Sequence, residues 1–182
     1  MRTIVLLCAF AVGLHATGTL LDAAKAGDKA ALRTLLQQKA DAKATLPDGT
    51  TALHWVSYHD DAETADLLLK AGADANAAND LGATPLWLAV QNGSSTVVRR
   101  LLAAGANPNL ALLSGETPLM VASRGGFAEI VTQLLTKGAN PNAHGTRGQT
   151  ALMWAVSQKH ADVVKALIAG KADIHQKSDV WS

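Results

Sequence analysis

The chain has 182 residues, 48% of them hydrophobic, 17% charged and 4% aromatic, which is enough for one domain of ordinary size and too apolar for a disordered chain. Sixteen basic residues against fifteen acidic ones leave a formal charge of +1, so no basic surplus supports binding to nucleic-acid phosphates. The single cysteine, Cys8, excludes a disulfide framework and any zinc site built on thiolates.

Arg2 precedes an unbroken apolar run from Ile4 to Val12, and the small residues Gly13, Ala16 and Gly18 follow. A positive start, a short apolar core and a small-residue exit are the parts of a secretory signal peptide, expected here over residues 1–16. The run is too short to span a bilayer comfortably. Cleavage after Ala16 places the large Leu14 three back, whereas cleavage after Gly13 or Gly18 keeps that position small. An uncleaved apolar helix packed on the next segment is the alternative. Removing Met1 to Ala16 deletes Arg2 and Cys8, leaving fifteen basic residues, fifteen acidic ones and no thiol. A thiol-free chain suits an oxidising compartment, so the expected location is exported, periplasmic or secreted, without membrane association once the leader is gone.

The remainder repeats itself. Gly49, Gly82, Gly115 and Gly148 are each 33 residues apart, and Thr51, Thr84, Thr117 and Thr150 follow in register. Leu53, Leu86, Leu119 and Leu152 recur two places later, then Leu68-Leu69, Leu101-Leu102, Leu134-Leu135 and Leu167-Ile168. One period further back, Leu20, Ala23 and Leu35-Leu36 match as well, making five copies. A period of this length marks a repeat architecture.

Each copy is expected to form two short helices. Thr84-Pro85-Leu86 opens the first, with Thr as cap and Pro at the first helical position. Gly93 ends it, and Thr96 to Ala103 forms the second, with Val97, Val98, Leu101 and Leu102 on its buried side. Gly105 is a left-handed stop, after which Asn107-Pro108-Asn109 and the run to Gly115 turn outward as a hairpin finger. One such unit cannot cover its own apolar face, so neighbours must stack.

Thr84-Pro85-Leu86-Trp87-Leu88-Ala89, Thr117-Pro118-Leu119-Met120-Val121-Ala122, Thr51-Ala52-Leu53-His54-Trp55-Val56 and Thr150-Ala151-Leu152-Met153-Trp154-Ala155 resemble the T-P-L-H-x-A signature of ankyrin repeats. Ala71-Gly72-Ala73-Asp74-Ala75-Asn76 and Lys137-Gly138-Ala139-Asn140-Pro141-Asn142 resemble the family's helix exit. The resemblance covers about Thr19 to Asp179. It implies an all-α ankyrin repeat solenoid of stacked helix-turn-helix units with hairpin fingers, divided as 19–47 (an N-terminal capping repeat), 48–80, 81–113, 114–146 and 147–179, with 180–182 starting a truncated further repeat. Only His54 keeps the family's histidine, which leaves its inter-turn hydrogen bonds in doubt elsewhere. Lys39 and Lys171 replace the exit glycine, so those turns should be looser or strained.

The ends differ from the middle. Thr19-Leu20-Leu21-Asp22 reads as a capping box, and Lys25, Asp28, Lys29, Arg33, Gln37, Gln38 and Lys39 give the first copy a polar surface. The last copy, with Val163, Val164, Leu167 and Ile168, is as apolar as the internal ones. Either Trp181 folds back as a cap or the chain belongs to a longer array, the second being favoured because solenoids need a polar final cap.

No catalytic constellation emerges. His54 and His59 are five apart, which turns them about 140 degrees away from each other on a helix, so they do not make a metal pair. Ser57 with His59 is no nucleophile-base pair, and Gly125-Gly126 lacks the lysine of a phosphate loop. Trp55, Trp87 and Trp154 fit inter-repeat core, with Trp55 or Trp87 as possible binding anchors. Leu110-Ala111-Leu112-Leu113 places leucines at a finger tip, either packed on neighbouring fingers or as an exposed contact.

The resemblance implies a non-enzymatic binding module without cofactor or metal. Its concave face would hold a protein partner, not a nucleic acid, through Asp48, Tyr58, His59, Asp80, Leu81, Gln91, Asn92, Leu113, Glu116, Arg124, Arg147, Gln149, Ser157 and Gln158. The alternative is a structural spacer or a fragment of a larger exported ankyrin protein.

Overall fold

A computed structural model describes residues 18–178; the leader expected over residues 1–16 and the possible cap Trp181 lie outside them. Thr19, Thr51, Thr84, Thr117 and Thr150 sit in extended backbone, and each hydroxyl accepts the N–H of the residue three places on. They open the first helix of each copy: α1 (Leu20–Ala26), α3 (Ala52–Tyr58), α5 (Pro85–Gln91), α7 (Pro118–Gly125) and α9 (Ala151–Ser157). At α1 the expected capping box forms, with the Asp22 carboxylate reaching back to the Thr19 N–H. The second helices are α2 (Lys29–Gln37), α4 (Ala62–Lys70), α6 (Ser95–Ala103), α8 (Ala128–Thr136) and α10 (Ala161–Ala169). α6 thus starts one residue ahead of the expected Thr96.

Helices of seven to nine residues are too short to persist alone in water, so stacking must hold them. Leu53, Leu86, Leu119, Val56, Ala89, Ala122 and Ala155 are buried from the first helices, and Leu68, Leu101, Leu134 and Leu167 are fully buried from the second. Each first helix packs on the next first helix and each second on the next second, forming two layers. Contact between neighbours is more extensive in the first layer than in the second.

The fingers form as hairpin turns. Leu46, Asn79, Leu112 and Gly145 donate their N–H groups to the carbonyls of Thr50, Ala83, Glu116 and Gln149 at 2.8, 3.0, 3.1 and 2.9 Å. Neighbouring tips are also tied: Asp80 N–H to Asp48 O (2.9 Å), Leu113 N–H to Leu81 O (3.0 Å) and Thr146 N–H to Ser114 O (3.3 Å). Gly82 is required twice over, because its φ is +79° and a Cβ there would lie 3.0 Å from the Ala111 carbonyl of the next finger. Apart from the isolated bridge between Thr45 and Thr51, the described residues hold no strand pairing, and the class is all-α.

Along the opposite edge an asparagine clamps each loop to the next. Asn76 donates to Gly105 O (3.2 Å) and accepts the Asn107 N–H (2.7 Å). Asn109 does the same with Gly138 O and Asn140 N–H, and Asn142 with Lys171 O and Asp173 N–H. In the first copy Lys43 occupies this place, and a recess of about 420 Å³ opens among Lys43, Thr45, Thr51, Gly72, Asp74 and Ala77. Two ion pairs also cross that junction, Lys29 to Asp61 (3.2 Å) and Arg33 to Glu63 (2.6 Å).

Lys39 and Lys171 adopt φ of +61° and +66°. Their turns keep the left-handed geometry of Gly105 (+89°), so they are strained and not loosened. In the last copy Val163 and Leu167 are buried, but Val156 exposes 58% and Ile168 52% of their surfaces. Ala24, Ser57, Val90 and Ser123, in register with Val156, are fully buried.

Candidate binding face

The carbonyls at a helix C-terminus lack intrahelical partners, and here the following repeat supplies several of them. The Asn92 amide donates to Tyr58 O (2.6 Å), the His59 Nε2–H to Lys25 O (3.2 Å) and the His160 Nε2–H to Arg124 O (3.1 Å). His59 and Asn92 are exposed, yet each already ties two repeats together. Each therefore carries a bond between repeats besides any contact it offers from the surface.

His54 belongs to the frame. Its Nε2–H donates to Ala83 O (2.9 Å), while Nδ1 accepts the Thr51 N–H (3.1 Å) and hydroxyl (2.8 Å). Burial pushes its pKa down, against the opposing effects of the Ala83 bond and the Asp48 charge. No group of three or more metal-ligating side chains converges among the described residues.

The remaining sequence-predicted positions fall on two adjoining surfaces. Asp48, Asp80, Leu81, Leu113 and Arg147 are exposed on the fingers, and Tyr58, Gln91, Ser157 and Gln158 at the ends of first helices or just past them. The Thr50 N–H, donating to Asp48 Oδ1 at 2.9 Å, holds the Asp48 carboxyl below the usual carboxylate range. Glu116, Arg147 and Gln149 line a recess of about 330 Å³ with Met120 and Trp154 between the last two fingers. Arg124 is less free than its helical position implied: its guanidinium pairs with Glu116 and lies 5.2 Å from the Trp154 ring centre. Removing Arg124 would therefore disturb packing as well as surface.

A model of ankyrin repeats in three copies matches residues 20–112 and 97–178. The chain belongs to the ankyrin repeat family. No curated protein matches it. Ankyrin repeats are generally protein–protein interaction modules, and the family is typically non-catalytic.

Within the ankyrin array, Trp55 and Trp154, which the sequence offers as inter-repeat core, share one column of the first helices with Leu88, which it does not single out. Trp55, Leu88 and Trp154 are half-buried there, with the buried Val121 between Leu88 and Trp154. Lys25 lies 5.8 Å from the Trp55 ring centre, as Arg124 does near Trp154, so a cation flanks the aromatic at each end. The 33-residue register that aligns the core leucines also aligns Trp55, Leu88, Val121 and Trp154. Trp87, a possible anchor by sequence, is only 8% exposed and belongs to the core, because it takes the inward place that His54 holds one repeat earlier. The leucine finger divides: Leu110 and Leu112 are half-buried, Leu112 against the core, while Leu113 stands out.

Proposed function

We propose that this ankyrin array holds a protein partner against its concave face and catalyses no reaction. The observation that carries the reading is the half-buried column Trp55–Leu88–Trp154, bordered by the exposed polar groups Tyr58 and Gln91 on one side and the finger row on the other. Aromatic residues in a polar rim are what binding hot spots are made of. Rigid stacked helices keep the surface ordered before a partner arrives, which lowers the entropy lost on binding. Repeat boundaries at 19–47, 48–80, 81–113, 114–146 and 147–179 place a finger at the start of every repeat after the first.

The test is affinity capture on the full array, compared with Tyr58→Ala/Gln91→Ala on the concave side and Arg99→Ala/Thr132→Ala on the convex side. All four side chains are exposed, so melting should be nearly unchanged. A partner lost by the first variant and retained by the second supports the reading; the reverse pattern overturns it. We further propose export through cleavage of the N-terminal leader. N-terminal sequencing of the extracytoplasmic protein should then begin at Leu14, Thr17 or Thr19, and a product still starting at Met1 would refute this.

A further inference from the structure

Resting on the concave-face reading, we propose that the finger row takes an extended peptide segment with opposite charges at its two ends and apolar side chains between them. The four tips carry Asp48, then Asp80 and Leu81, then Leu113, then Arg147. All five residues are exposed, and Leu113 and Leu81, at 79% and 68%, are the most exposed large apolar residues described. The Leu113 N–H donates to Leu81 O (3.0 Å), which sets the two leucines on neighbouring tips as one apolar step. Backbone bonds between Asp48 and Asp80 and between Ser114 and Thr146 extend the same row in both directions. The row is therefore graded: acidic at the early fingers, apolar in the middle, basic at the last.

Charge complementarity selects the occupant. A polyanion or an anionic lipid surface would meet Asp48 and Asp80, and a uniformly basic segment would meet Arg147. Only a segment of mixed sign satisfies both ends while covering the leucines. Helices stacked side by side are about 8–10 Å apart, and an extended chain advances about 3.3 Å per residue. One finger thus corresponds to about three residues, and the two charges of the segment should lie about five to nine residues apart. The apolar residues fall between them. The finger row is a chiral surface that fits a bound segment in one N-to-C direction, so the charge order of the segment must reverse when the protein's charges do.

The experiment selects random twelve-residue peptides, displayed on phage, against the full chain and against Asp48→Asn/Asp80→Lys/Arg147→Glu. Asn at 48 keeps the side-chain oxygen that Thr50 needs. The expected result is an enriched motif with opposite charges flanking apolar residues, and the same motif in reversed charge order from the triple variant. Leu81→Ser/Leu113→Ser, at two exposed positions, should weaken the selected peptides about tenfold; it also serves as the second test if the triple variant fails to fold. The same charge order from both arrays, a motif without opposite charges, or no enrichment overturns the inference. Peptides insensitive to the triple variant but weakened by Tyr58→Ala/Gln91→Ala overturn it while leaving the concave-face reading intact. Peptides insensitive to every one of these variants overturn both.

Discussion

His54 illustrates how one side chain can be both a fold determinant and a source of pH dependence. Its Nδ1 accepts and its Nε2–H donates, which only the neutral ring can do. Burial lowers its pKa in the folded chain, so the unfolded chain binds a proton first as acidity rises. The stability His54 contributes is complete above its ordinary value of about 6.5 and is lost as pH falls toward the lowered folded value. Thermal melts from about pH 8 down to about pH 5 should show this loss, and His54→Gln should flatten that part of the profile. Leu101 tests the core in the same direct way. It is fully buried, and Leu101→Ala should cost about 2–5 kcal/mol in denaturant melts. An unchanged midpoint would place Leu101 outside the core. Both residues were legible in the sequence, because a histidine three places after a capping threonine and a leucine pair at a fixed period are local patterns.

At the scale of the element, what differs between junctions is the clamp. Asn109 joins two loops with bonds of 2.9 and 2.8 Å, so Asn109→Ala should destabilise the array by about 1–2 kcal/mol. The first junction has Lys43 in that place, and of the two ion pairs that cross it Arg33–Glu63 is exposed on both sides and contributes little. Lys43→Asn should let the first repeat reach Gly72 and Asp74 as Asn76 reaches Gly105 and Asn107. Hydrogen exchange should then slow in α1 and α2, and unaltered exchange there would show that a clamp at position 43 adds nothing to this junction. The Asn–Asn spacing is visible in the sequence, but its use across repeats is not, since each bond joins residues 29 or 31 apart.

For the whole molecule, position in the stack decides what one residue type does. Val90 and Val156 occupy the same place in their repeats, yet Val90 is fully buried and Val156 is 58% exposed. Val90→Gln should therefore destabilise by about 2 kcal/mol or more, through a polar group forced into the core. Val156→Gln/Ile168→Gln should change stability by under about 0.5 kcal/mol and lower light scattering at high protein concentration. Equal effects at the two positions would mean that the last repeat is covered in solution. The candidate face shows the same dependence: Arg124 looked free on its helix, but Trp154 and Glu116, from the first helix of the next repeat and the preceding finger, hold it.

The sequence by itself determined the 33-residue unit, its threonine caps, its leucine core and the all-α stacked architecture, because caps and amphipathic periodicity act within one or two turns of chain. The tertiary structure alone decided which outward positions stay available. It assigned His59 and Asn92 to neighbouring carbonyls, buried Trp87, left Trp55 and Trp154 half open, and lined up the graded finger tips. Those outcomes depend on which repeat lies alongside, and side-chain exposure is set by neighbours distant in sequence.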